Sequence, residues 1–255
     1  MHLETFAKGD SPLHCLDPRA KLVAAAAYSL VVGLGTTLAL GWAALGVALA
    51  AVLVARLPLG SVARRLGAVN LFMALLWVML PLRLVPAPAS FWGLSWEWDP
   101  AGLRLAGVIT LKANAIALVL MALLATSTIN DLFHALAHLR VPTKLVQIFL
   151  FFYRYLHVLH QEYHRLTQAM RARGFAPGNN LHTYRSYAHL AGVLLVRSYD
   201  RAQRVYQAML CRGYTGTLWL LDHFTWGSRE NLFLVISSLI IAALSWLALE
   251  SSTWT

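Results

Sequence analysis

Arg165-Leu166-Thr167-Gln168-Ala169-Met170-Arg171-Ala172-Arg173-Gly174-Phe175 returns further along the chain as Arg204-Val205-Tyr206-Gln207-Ala208-Met209-Leu210-Cys211-Arg212-Gly213-Tyr214. Six of the eleven positions are identical, and the last is aromatic in both. Each copy closes a helix-like segment with an arginine followed by a glycine. Taken singly, that ending is ordinary. Glycine just past the last helical residue supplies the left-handed turn, and a cation in the last turn meets the negative end of the helix dipole. Helix ending alone does not ask for Gln, Ala and Met at identical offsets upstream. The repetition points to two equivalent surfaces for two equivalent partners. The small residue before each arginine (Ala172, Cys211) permits close approach to a narrow groove. The guanidinium can then make fork-like hydrogen bonds to a carboxylate.

The surrounding segment is unlike the rest of the chain. Residues 127–230 hold 12 of the 21 Lys and Arg residues and most of the histidines. Asp131, His134 and His138 share one face of a short helix that the Val141-Pro142 step interrupts. A long helix is predicted from Thr143 to Arg173. Its polar stripe is Arg154, His157, Gln161, His164, Gln168 and Arg171; its apolar stripe includes Phe149, Phe152, Leu156, Leu159, Leu166 and Met170. Gly174, Pro177, Gly178, Asn179 and Asn180 stop it. A second helix is predicted from about Thr183 to Arg212, with Arg197, Arg201 and Arg204 on its polar side and an Asp200–Arg204 pair at i,i+4. Ala191, Leu194, Ser198, Val205 and Met209 form its flatter face, and Gly213 and Gly216 end it. Each arm is about 30 residues, or ~45 Å long. A hairpin this long and polar is too large for a loop between spans and reads as a module at the cytoplasmic face of a membrane.

Outside it the chain is greasy. Of 255 residues, 58% are hydrophobic and only 13% charged, against about 25% charged in soluble domains, so a multi-span membrane protein is expected. The net charge of +10 lies beside apolar runs rather than in one basic block, which favours the positive-inside tendency over nucleic-acid binding. Asp17-Pro18 reads as a helix start. Leu22 to Ala55 holds no charge over 34 residues; Gly33, Gly35, Thr36 and Thr37 mark a hairpin between two short spans, with one kinked helix as the alternative. Arg56 to Gly67 reads as a cytoplasmic loop, Leu66 to Val85 as a third span, and Trp92, Trp96 and Trp98 as an external aromatic belt. A fourth span lies between Leu103 and Thr126. Lys112 and Asn114 are either functional groups at depth or interfacial groups of a span that starts later. Asn231 to Leu249 is the fifth span, with a short tail after it. The expected class is all-α: a polytopic membrane protein with about five transmembrane helices and a coupling module of long amphipathic helices. Its expected regions are residues 1–126, 127–224 and 225–255, with the N-terminus and module cytoplasmic and the C-terminus external. No signal peptide is read before the first apolar run. Cys15 and Cys211 form no disulfide framework.

No catalytic set emerges. The chain has no G-x-x-x-x-G-K-[ST], H-E-x-x-H or G-x-S-x-G motif and so no Walker loop of its own. Asp131, Glu162, Asp200 and Asp222 offer no pair spaced for acid/base work. His157, His160 and His164 lie within two turns, but three-ligand metal ligation needs a fourth partner and an inward pocket, so a solvated polar stripe is the plainer reading. An integral-membrane enzyme would need an intramembrane polar cluster, for which Lys112 with Asn114 is the sole candidate. A self-sufficient transporter would need charged residues at midplane and repeated spans, and neither is read.

Ala172-Arg173-Gly174 and Cys211-Arg212-Gly213 resemble the paired Ala-Arg-Gly signatures of the transmembrane T component of energy-coupling-factor transporters, in particular the cobalt-transport CbiQ family. Asp17-Pro18-Arg19-Ala20-Lys21, Arg140-Val141-Pro142-Thr143-Lys144 and Met209 to Gly216 are further matching pieces, and the likeness covers nearly the whole chain. The resemblance implies a non-catalytic subunit whose helix tips dock into grooves of two ATP-binding-cassette ATPases. Arg173 and Arg212 would be the anchors, and Cys211 replaces the signature alanine. It also implies a substrate-binding S component (CbiM-like), a small accessory subunit (CbiN-like) and CbiO-like ATPases. ATP and magnesium would then sit on the ATPases and the cobalt ion on the S component, with no cofactor in this chain and nickel import as the alternative.

Overall fold

The computed structural model describes residues 11, 13, 14, 16–86, 94–139, 141–216 and 227–252. The expectations attached to Cys15, Trp92, Arg140, Asp222 and the last three residues lie outside that set. The elements are α1 (Pro18–Leu34), α2 (Leu38–Ala55), α3 (Leu59–Met79), β1 (Leu82–Pro86), β2 (Leu94–Trp98), α4 (Pro100–Leu123), α5 (Ile129–His138), α6 (Thr143–Ala172), α7 (Leu181–Cys211) and α8 (Ser228–Ser252). They fall into two units, Met1–Ala135 with Phe224–Thr255, and Leu136–His223.

Among the described residues of the first unit, four helices are long and apolar enough to cross a membrane: α2, α3, α4 and the Ser228–Leu249 part of α8. The expected first span is α1, whose 17 residues reach about 25 Å. Asp17 caps it, its carboxylate accepting from the Arg19 amide at 2.9 Å, with Pro18 preset for the first turn. Asp99-Pro100 starts α4 in the same way, Asp99 accepting from the Ala101 amide at 2.9 Å. The break between α1 and α2 falls at residues 35–37, so the uncharged 34-residue run is a hairpin.

Small residues let α2 and α4 meet closely. Gly41, Ala44 and Ala48 are buried on α2, and Ala115 and Ala122 are buried on α4. That pattern drives packing where lipid removes the hydrophobic incentive between helices. Leu40, Val52, Leu118, Val119 and Leu244 complete the core. Elsewhere the spans present their apolar side chains outward: Leu71 is 77% exposed and Trp246 70%. Such a surface is a liability in water and the normal exterior in hydrocarbon.

Lys112 lies in the middle of α4, and its ammonium donates to the carbonyls of Gly33, at 3.1 Å, and Gly35. These are orphan acceptors at the end of α1, so the lysine holds the α1–α2 turn. Asn114 donates to Asn70 of α3 at 2.8 Å, and Trp77 donates to Thr110 at 2.9 Å. The polar groups of α4 therefore tie helices together, as interhelical hydrogen bonds do in bilayers. Lys112→Met should lower the stability of the solubilised chain by about 1–3 kcal/mol, because the carbonyls lose their donor. A thermal-unfolding measurement checks this; lost transport with unchanged unfolding would return Lys112 to a functional role.

Three expectations are corrected. Arg56 to Gly67 is not a loop. Pro58 starts α3, and Arg64 and Arg65 lie inside that helix, because arginines can occupy a helix's polar end while their stems follow the apolar surface. The third span accordingly runs Leu59–Met79 rather than Leu66–Val85. The chain after it is not helical: β1 and β2 pair antiparallel with Leu82 opposite Trp98 and Pro86 opposite Leu94. The hairpin leads back to α4, the Asp99 amide donating to the Pro81 carbonyl at 3.0 Å.

In the second unit, α6 and α7 have 30 and 31 residues, matching the two predicted arms to within two residues at each end. Pro142 precedes α6, and its fixed backbone stops α5 from running into it.

Candidate functional site: two matched helix tips

The two arginines end their helices in the same backbone geometry. Arg173 has φ −89° and ψ 14°; Arg212 has φ −93° and ψ 12°. Gly174 and Gly213 both have φ +80°. At the first tip, Phe175 donates to the Met170 carbonyl at 3.1 Å and Gly174 to Arg171 at 3.0 Å; at the second, Tyr214 donates to Met209 and Gly213 to Leu210, both at 3.0 Å. This is the Schellman arrangement, in which the residue after the glycine commonly makes an apolar contact with the residue three before the capping arginine. It gives a local reason for two features of the repeat: Met170 with Phe175, and Met209 with Tyr214, hold that contact position. Capping leaves the repeated Gln and Ala unexplained.

Cross-helix contacts brace each tip. Phe175 meets Tyr187 of α7 edge-on at 5.8 Å between ring centroids. Tyr214 donates to Gln147 of α6 at 3.2 Å, and Gln147 donates to the Gly216 carbonyl at 3.3 Å. Ala172, Arg173, Gly174, Cys211, Arg212 and Gly213 are all exposed. Among the described residues neither guanidinium has an ion-pair or hydrogen-bond partner. The tips are not neighbours. Tyr187, beside the first, and Arg212, at the second, are separated by 25 positions of α7, or about 37 Å of helix. One compact partner site cannot hold both; two sites tens of ångströms apart can.

At φ +80° a side chain is strained, by about 1–2 kcal/mol. Gly174→Ala and Gly213→Ala should each destabilise the second unit by that amount, and Gly→Asn by less. Chemical denaturation of the solubilised chain measures the ordering Gly, Asn, Ala.

Between the arms, α6 and α7 leave an open cleft of about 730 Å³ lined by Phe151, Phe152, Tyr155, Leu159, Leu194 and Val205, among others. The predicted flatter face of α7 lines it through Leu194, Ser198, Val205 and Met209, whereas of the predicted apolar stripe of α6 only Phe152 and Leu159 do. The expected Asp200–Arg204 pair does not form. Glu162 of α6 instead pairs with Arg197 of α7 and with Arg165 of its own helix at 3.8 Å. An exposed i,i+4 pair adds only about 0.3–0.5 kcal/mol, too little to decide a rotamer. No signal in the sequence joins Glu162 to Arg197, which is 35 residues away. Among the described residues no group of three or more His, Cys, Asp or Glu side chains converges.

Fold and tips together define the class: a polytopic membrane protein, helical among its described residues apart from one short hairpin, whose extra long helices form a coupling module. The model of the cobalt transport protein (CbiQ) family matches residues 9–220, and the chain belongs to that family of energy-coupling-factor transmembrane components. An energy-coupling factor transporter transmembrane protein EcfT of Brevibacillus brevis is 25% identical over 256 aligned positions, covering 94% of this chain and 96% of the relative. The cobalt transport protein CbiQ of Rhodobacter capsulatus is 31% identical over 123 residues, 48% of this chain and 50% of the relative. An uncharacterized protein of Methanocaldococcus jannaschii is 29% identical, and the chain spans 46% of its length.

Proposed function

We propose that this chain is the energy-coupling subunit of a cobalt importer, carrying the motion of two ATPases to a separate substrate-binding membrane subunit. The observation that supports this best is the backbone identity of the two exposed arginine tips at opposite ends of α7. A motor made of two like ATPases offers two like grooves, and one tip per groove uses both. ATP binding draws the ATPases together, the grooves move, and Arg173 and Arg212 convey the displacement to α6 and α7. The apolar cleft face of the hairpin bears on the substrate-binding subunit, which reorients and releases its ion inward. Hydrolysis belongs to the ATPases with their ATP and magnesium, and the ion to the substrate-binding subunit with its small accessory partner. This chain has no catalytic role. In this reading residues 1–126 and 225–255 are the membrane regions, residues 127–224 are the coupling region on the cytoplasmic side, and the C-terminus is external. The cation is taken from the family's description; nickel is the alternative.

Co-expression with a CbiO-like ATPase, a CbiM-like subunit and a CbiN-like subunit tests the reading. The four should purify as one complex and take up radiolabelled cobalt in an ATP-dependent way. Uptake by this chain alone would overturn it, and preference for nickel would move only the substrate.

A further inference from the structure

We infer that His160 and His164 of α6 form a two-imidazole binding site for a divalent transition-metal ion, on the chain itself and independent of the coupling role. The two residues are one turn apart, so their side chains rise from the same face. Their Nε2 atoms are 3.0 Å apart and their rings meet edge-on, with centroids 4.4 Å apart. One ring nitrogen must donate to the other at that distance; when a metal ion binds, that ring carries its proton on Nδ1 instead, so that both Nε2 lone pairs are free to ligate. Two imidazole nitrogens bound at about 2.1 Å to one ion stand ~3.0 Å apart at a right angle and ~3.4 Å apart at a tetrahedral one. The observed separation already matches a single chelated ion.

The surroundings set the chemistry. Both histidines are exposed, leaving the outer coordination positions to water. The ring of Tyr163 lies against His164 at 5.7 Å and limits its rotation. Two oxygen-bearing side chains within one turn are engaged elsewhere. Glu162 pairs with Arg197 and Arg165, and the Thr167 hydroxyl donates to the Tyr163 and His164 carbonyls at 3.0 and 2.9 Å. A site of nitrogen donors with no carboxylate favours copper, nickel, cobalt and zinc over magnesium and calcium, with copper(II) tightest. His157 does not join, since no three such ligands converge among the described residues.

The test is a titration of the untagged full chain in detergent micelles with Cu²⁺ and Ni²⁺, followed by calorimetry and, for Cu²⁺, by paramagnetic resonance. The chain has 10 histidines, so the reading is a difference. Wild type should bind one ion more than the His160→Gln/His164→Gln double variant, with a two-nitrogen signature. Either single variant should weaken that site by at least tenfold, since loss of even an outer-shell partner costs about 10–100-fold. His157→Gln should bind as wild type does. Equal stoichiometry and affinity in wild type and the double variant would overturn the site, as would an equal loss in His157→Gln. Neither outcome bears on coupling, which is read by assembly and uptake.

Discussion

Arg173→Ala and Arg212→Ala should each remove most ATP-driven uptake while the chain still inserts and folds. Both guanidiniums are solvent-exposed and have no ion-pair or hydrogen-bond partner among the described residues, so truncating either removes no observed ion pair or hydrogen bond of the fold. In a docked complex the same group would be desolvated against a carboxylate. Breaking such a pair on one side costs about 2–5 kcal/mol of binding, a fall in affinity of about 30- to 4,000-fold. Pull-down of the ATPase by the solubilised chain reads the first quantity, and cobalt uptake by the four-subunit complex the second. Arg→Lys at either tip should rescue little, because an ammonium cannot make the planar two-pronged contact. The double variant should show no association. If both single variants bind ATPase and transport as wild type does, the anchoring role is wrong.

Gly102→Ala should be the most damaging small substitution in the membrane unit. A Cβ at Gly102 meets the Leu80 carbonyl oxygen at 2.3 Å, the Leu80 carbonyl carbon at 2.9 Å and the Pro81 Cα at 3.1 Å. All three are backbone atoms, so no side-chain rotation relieves the clash. The first turn of α4 would have to leave the end of α3, disturbing the hairpin that joins them. Overpacking of this kind costs about 1–3 kcal/mol, occasionally more. Gly41 provides the contrast. Its added Cβ meets only Leu111, 3.1 Å from its Cβ and 3.3 Å from its Cδ1, so a shift of a few tenths of an ångström relieves it. Thermal unfolding of the two variants in one detergent should place Gly102→Ala well below Gly41→Ala. The reverse order would mean that the α3–α4 corner is not packed as described.

Local features of the fold were legible in the sequence because their causes are local. Asp17-Pro18 carries its own cap and preset backbone. Arg173-Gly174 and Arg212-Gly213 carry the left-handed turn that ends a helix, and the uncharged run from Leu22 contains its own breakers at Gly35 to Thr37. What was missed depends on partners far along the chain. Lys112 is explained by two carbonyls of the α1–α2 turn, 79 and 77 residues away. The β1–β2 hairpin exists only through pairing, and its segments are too short to announce themselves. The arginines of α3 look like a loop to any reading that equates charge with solvent. At the tips the repeat and the capping role of its Arg-Gly endings were visible, but the part capping plays in its Met and aromatic positions was not. Separating the Met and aromatic positions, which capping uses, from the Gln and Ala positions, which it does not, needed the hydrogen bonds.

Cys211 offers the most direct measurement, because it stands beside Arg212 at one tip and is exposed. With Cys15 replaced by serine, the rate at which a maleimide modifies Cys211 can be followed in the solubilised chain with and without the ATPase pair. Docking of this tip into a groove is expected to slow modification strongly when the ATPases are bound, and Arg212→Ala should restore the fast rate. Modification at the same rate in the free chain and in an assembled complex would contradict docking at this tip.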